Sequence, residues 1–184
     1  MKKFLAVFFA LIIFAGISNS QSKMALGVGG NLALPMGSFG DVAKLGFGGG
    51  AKFEYELQPN INLTGSAQYL MFGAKDDIVG VDWSIIPILV GGKYYFSPGV
   101  YGMAELGMNF WSTKVKTPEI RVGGVVVVPS QEVSSSGSDF GFAFGAGYEL
   151  PVGKSGVLDL SAKFQQYASS TSAINIGVAY KFSL

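Results

Sequence analysis

The chain is 184 residues long, about one domain, and 49% of it is hydrophobic while only 14% is charged, against roughly 25% charged in ordinary soluble domains. Its 13 basic and 12 acidic side chains nearly cancel, so nothing in the charge points to nucleic acid. Cysteine and histidine are absent, which removes disulfides, thiolate nucleophiles, a lipid-bearing cysteine and the commonest general base and zinc ligands; no cofactor or metal is implied, and an enzyme is not expected.

Lys2 and Lys3 start the chain, an apolar run fills 4–17, and Ser18-Asn19-Ser20 supply small residues after it. Residues 1–20 therefore read as a cleaved secretory signal peptide, with 21–184 as the mature domain. The apolar run is shorter than the ~20 residues a membrane anchor needs. Without the two lysines, 11 basic face 12 acidic residues.

From residue 23 onward the dominant period is two, which predicts strands. Eight are expected: 23–34, 46–57, 61–72, 82–96, 100–111, 139–150, 157–167 and 173–184. In the second, Phe53, Tyr55 and Leu57 alternate with Lys52, Glu54 and Glu56. The third alternates almost without a break from Ile61 to Met71. Each is long enough to cross a bilayer at a tilt, which takes ~9 to 11 residues. The connections alternate in length: 58–60, 97–99 and 151–156 are short, whereas 35–45, 73–81 and 112–138 are long, and only 168–172 breaks the rule. That asymmetry fits an eight-stranded, antiparallel, up-and-down transmembrane β-barrel, all-β, with its turns in the periplasm and its loops outside a bacterial outer membrane.

Parity divides each strand into two faces. One collects Leu26, Val28, Leu32, Ile86, Ile88, Val90, Leu106, Phe142, Phe144, Leu158, Leu160, Ile174, Ile176 and Val178, an apolar belt for lipid. The other collects Lys52, Glu54, Glu56, Lys93, Glu105, Glu149, Asp159, Lys163 and Lys181, an expected lumen charge network. An eight-stranded barrel is just wide enough for its own side chains, so these charges should pair and fill it. Aromatic girdles are expected from Tyr55, Tyr94, Phe96, Tyr148, Tyr180 and Phe182 on the periplasmic side, and from Phe47, Tyr69, Trp83, Phe110 and Phe140 on the outer side. Parity alone does not say which face is inside, and a soluble lipocalin-like ligand carrier would invert the two sets.

Asn175, Gly177, Tyr180 and Phe182, in the run Asn-Ile-Gly-Val-Ala-Tyr-Lys-Phe, resemble the C-terminal assembly signal of outer-membrane barrels, although Ser183-Leu184 follow the last aromatic. The run 85–96, with Pro87 and the ending Lys93-Tyr94-Tyr95-Phe96, is similar to the OmpA- and OmpX-like outer membrane protein beta-barrel domain family. That resemblance spans 21–184 and implies outer-membrane lipid as solvent, with the barrel-insertion machinery and periplasmic chaperones as partners during assembly. A monomer is expected, and peptidoglycan binding through a further domain is not.

Three features invite sharper readings. The glycine runs 27–30 and 46–50 look like phosphate loops, but strands rather than helices follow them, so structural roles are favoured. Glu54, Glu105 and Asp159 could form an acid/base pair, yet with no histidine the paired-core reading is preferred. Residues 112–138 are longer than an idle connection: Lys114-Val115-Lys116 and Gln131-Glu132-Val133 could extend the flanking strands, and Val125, Val126, Val127 and Val128 could offer a β edge to an extracellular partner. A structural or adhesive surface barrel with a filled lumen is thus expected, the alternative being a small porin or transporter for ions or small hydrophilic solutes.

Overall fold

Side chains at i and i+2 share one face of a pleated strand, so a chain that must separate lipid-loving from polar groups at that period has only the strand available to it. The computed structural model describes residues 23–75, 80–117, 120–122, 125–128, 131–153 and 156–184; the expected signal peptide lies outside them. In chain order these form β1 (Met24–Met36), a short helix α1 (Gly37–Val42), β2 (Gly46–Gln58), β3 (Ile61–Gly73), β4 (Val81–Ser97), β5 (Val100–Thr117), β6 (Ile120–Val122), β7 (Val125–Val128), β8 (Gln131–Val152), β9 (Gly156–Ala168) and β10 (Thr171–Ser183). Eight of them close into an antiparallel barrel in the order β1-β10-β9-β8-β5-β4-β3-β2, while β6 and β7 make a separate ribbon. The last strand seals against the first, from Ala25 opposite Ser183 to Met36 opposite Ser172, so the wall within the bilayer has no free edge.

The turns on one side are tight. Ser97 lies opposite Val100, so Pro98-Gly99 forms a two-residue connection. Proline presets the first φ, and Gly99 at φ +80° takes the positive value that a type II turn reserves for glycine. Glycine serves close approach elsewhere: a Cβ on Gly29 would clash with the Val178 carbonyl oxygen.

Exposure decides which face is which. Val90, Leu106 and Phe144 are 58%, 52% and 55% exposed on the outer wall, as are large apolar side chains around the whole ring, while Lys93 and Glu54 are 1% and 2% exposed within it. An apolar surface that encircles a protein suits lipid and not water, so the molecule is the membrane barrel rather than the inverted soluble carrier.

Two expectations need correction. The strand bounds at 111 and 139 fall short: β5 and β8 stay paired from Ser112 opposite Ser136 out to Thr117 opposite Gln131, the extension expected of Lys114-Val115-Lys116 and Gln131-Glu132-Val133. Backbone ladders need no apolar face, and the serines, threonines and lysines there carry no lipid-facing period. Trp83, expected in the outer girdle, shares parity with Ile85 and Pro87 and turns inward onto Phe39, 5.9 Å between ring centres. Phe47, Tyr69, Phe110 and Phe140 do lie exposed on the outer wall.

Candidate functional site

Inward positions of β5 climb the lumen from the periplasmic end as Tyr101, Glu105, Asn109 and Trp111, and those of β9 as Asp159, Lys163, Gln165 and Tyr167. Neighbouring strands match them tier by tier. In the lowest tier the Lys93 ammonium stands 2.6 Å from Glu54, 2.9 Å from Glu149 and 2.7 Å from Asp159, one carboxylate for each of its three N–H donors. Lys181 joins Glu54 at 3.1 Å and Glu149 at 2.6 Å. Tyr95 donates its hydroxyl to Glu149 at 2.9 Å and Tyr101 donates to Asp159, while the Tyr101 ring lies 4.0 Å from the Lys93 nitrogen. The next tier holds Lys163 against Glu105 at 3.0 Å, with the Thr64 hydroxyl donating to the same carboxylate at 3.3 Å.

Above the charges lies a tier of amides. Asn109 donates to the Tyr167 carbonyl oxygen at 3.0 Å, Gln165 donates to Asn109 at 3.4 Å, Asn175 donates to Gln165 at 3.4 Å, and the Tyr167 hydroxyl donates to Asn175 at 3.0 Å. Each amide thereby offers both a donor and an acceptor to the ring, which is what burial away from water requires. The outermost tier is apolar. Ala33, Leu70, Phe72, Ile85 and Ala173 meet Phe39 and Ala43 from the α1 segment, and Phe39 packs edge-on against Phe72 at 5.1 Å.

Of the expected network residues, Glu54, Lys93, Glu105, Glu149, Asp159, Lys163 and Lys181 are brought together. Lys52 faces the lumen but stands within ion-pair distance of no carboxylate among the described residues; it lines a cavity of about 40 Å³ with Gln68, Asn31 and several glycines. That is room for about two waters, at a cavity lined by Gln68, whose buried side-chain carbonyl oxygen has no partner among the described residues. Glu56 departs from the expectation: it is exposed at the periplasmic rim, beyond the last lysine. Within the last strand, Asn175 points into the lumen while Tyr180 and Phe182 are exposed on the lipid side. Val125–Val128 form β7, paired with β6 from Ile120 opposite Val128 to Val122 opposite Val125.

Glu54, Glu149 and Asp159 offer oxygens within 4.8 Å of one another, close enough to hold a metal ion. The Lys93 ammonium already occupies their centre, so the set serves as a lysine's counter-charge. Glu54 and Asp159 are held by Lys93 and Glu105 by Lys163, so the three stand as counter-charges in different ion pairs rather than as one acid/base set. Sequence reading missed Phe39, Asn109, Gln165 and Tyr167; the alternation Asp159, Lys163, Gln165, Tyr167 along one face was the available signal for the last two.

The pattern of the outer membrane protein beta-barrel domain family matches residues 5–182. No curated protein matches the chain. Among solved structures, the chain is similar to Ail, the attachment invasion locus protein of Yersinia pestis, at 18% identity and a TM-score of 0.60 over 89% of this chain and 100% of that one. It is similar to Neisserial surface protein A at 14% identity and a TM-score of 0.56, over 89% of this chain and 98% of that one.

Proposed function

This chain belongs to the outer membrane protein beta-barrel domain family, and from that premise we propose that it works at the bacterial surface as an interaction protein rather than as an enzyme or a pore. Residues 1–20 direct export and are removed, and Tyr180 and Phe182 on the lipid face of β10 are read during insertion into the outer membrane. Successive charged, amide and apolar tiers fill the lumen, which argues against the porin reading.

The observation that carries the proposal is the β5–β8 hairpin. β8 begins at Gln131, but its pairing with β9 begins only at Phe142 opposite Gln166. Residues 131–140 therefore bond to β5 on one side and to no described strand on the other. At ~3.4 Å per residue this is roughly 34 Å of open edge, long enough for an extended segment of another protein to add as a strand. Ail has been solved with sucrose octasulfate, a heparin analogue. A sulfated polysaccharide suits this hairpin poorly, because Glu132 lies 3.7 Å from Lys114 and 4.0 Å from Lys116 and offsets their charge. A protein partner suits it better.

Bacteria displaying the full chain, and a variant with 115–133 replaced by a short turn, distinguish the readings. Both should show the heat-modifiable gel mobility of a folded barrel. Adhesion to cultured epithelial cells and to immobilised matrix protein should fall to background in the trimmed variant and should resist competing heparin. Equal adhesion by the two would sink the proposal.

A further inference from the structure

Above the apolar plug, the barrel opens outward into a cup of about 290 Å³ walled by Phe39, Trp83, Trp111, Tyr167, Thr113 and Asp139. Asp139 differs from the carboxylates below it. Glu54, Glu105, Glu149 and Asp159 each stand within 3.0 Å of a lysine nitrogen. Asp139 instead accepts a 2.7 Å hydrogen bond from the Trp111 indole N–H and has no cationic partner among the described residues. The indole orients the carboxylate without cancelling its charge.

The walls beside that charge are aromatic. Trp83 and Phe39 meet at 81° with ring centres 5.9 Å apart, so two sides of the cup stand nearly perpendicular. Aromatic faces carry negative electrostatic potential over an apolar body. Together with an uncompensated carboxylate they suit a cation that also has carbon surface to bury. A bare calcium ion would find one carboxylate where it needs six to eight oxygens, and a neutral sugar would leave the Asp139 charge unmet. We propose that this cup binds small organic ammonium compounds from outside the cell, with the cationic head against Asp139 and the indole faces and its alkyl part against Phe39. The inference does not rest on the hairpin as an adhesive edge.

The chain has two tryptophans, and both line the cup, so fluorescence excited selectively at tryptophan reports on its occupancy. The full chain is refolded in an uncharged maltoside detergent, which does not compete, and titrated with choline and with its neutral isostere 3,3-dimethylbutan-1-ol. A saturable fluorescence change with choline is expected, with the isostere binding at least about tenfold more weakly and Asp139→Asn weakening choline alone by about tenfold. Where Asp139→Asn loses the heat-modifiable folded form, Phe39→Leu keeps both indoles and the carboxylate and should weaken choline by about fivefold. No saturable change, an isostere that binds as well as choline, or substitutions that leave choline binding unaltered would overturn the proposal.

Discussion

Below Asn109 the lumen is packed with lysines and carboxylates, Lys93 alone touching Glu54, Glu149 and Asp159, whereas above it Leu70, Phe72, Ile85 and Phe39 fill the same cross-section without a charge. Both halves are surrounded by lipid-facing side chains, so neither is determined by what lies outside. The lower half works by mutual neutralisation: each buried ion is tolerable because a partner stands within hydrogen-bond reach. The upper half works by packing, and β4 there is apolar on both faces, with Ile85 inward and Ile86 outward, as doubly buried strands are. A paired interior fails when one member is removed, while an apolar interior fails in proportion to the volume lost.

Removing one ion from the lower half should have the largest effect. Lys93→Met leaves three carboxylates converging on a methyl group, and we expect a loss of about 3–5 kcal/mol in reversible urea unfolding in lipid vesicles, followed by tryptophan fluorescence. Phe72→Ala, which opens a cavity in the plug, should cost about 3 kcal/mol in the same assay. It should also leave planar-bilayer recordings free of channel steps, because the charged and amide tiers beneath still fill the lumen; conductance in Phe72→Ala alone would show that the plug is the only seal. The smallest effect belongs to the hairpin outside the barrel, where Lys114 and Glu132 lie in water. Lys114→Ala should change unfolding by less than about 1 kcal/mol, and raising the salt concentration should erase the difference.

Much of the wall was legible because lipid on one side and a crowded lumen on the other impose a strict period of two on strands such as 61–72. The lumen charges were legible for the same reason: Lys93, Glu105 and Asp159 share the parity opposite Val90, Leu106 and Leu160. Where that period lapses, the bounds blur. The extensions of β5 and β8 beyond Trp111 and before Asp139 were legible from Lys114-Val115-Lys116 and Gln131-Glu132-Val133 but not in their full length, because Ser134-Ser135-Ser136 resembles loop. Phe39 sits on a helix of six residues, too short to show a period, and its role as a plug depends on where the chain end of β1 delivers it.

Alternation along one chain was enough to give the eight wall strands, their parity and the list of groups that share a face, while which face meets lipid was decided by exposure in the closed ring. It took the assembled barrel to show which lysine meets which carboxylate, that Glu56 falls outside the last pair, that Trp83, Trp111 and Asp139 meet across one cup, and that β8 keeps an open edge. Those outcomes depend on the stagger between neighbouring strands and on the closure of the ring. Both are relations across strands that no period within one strand encodes.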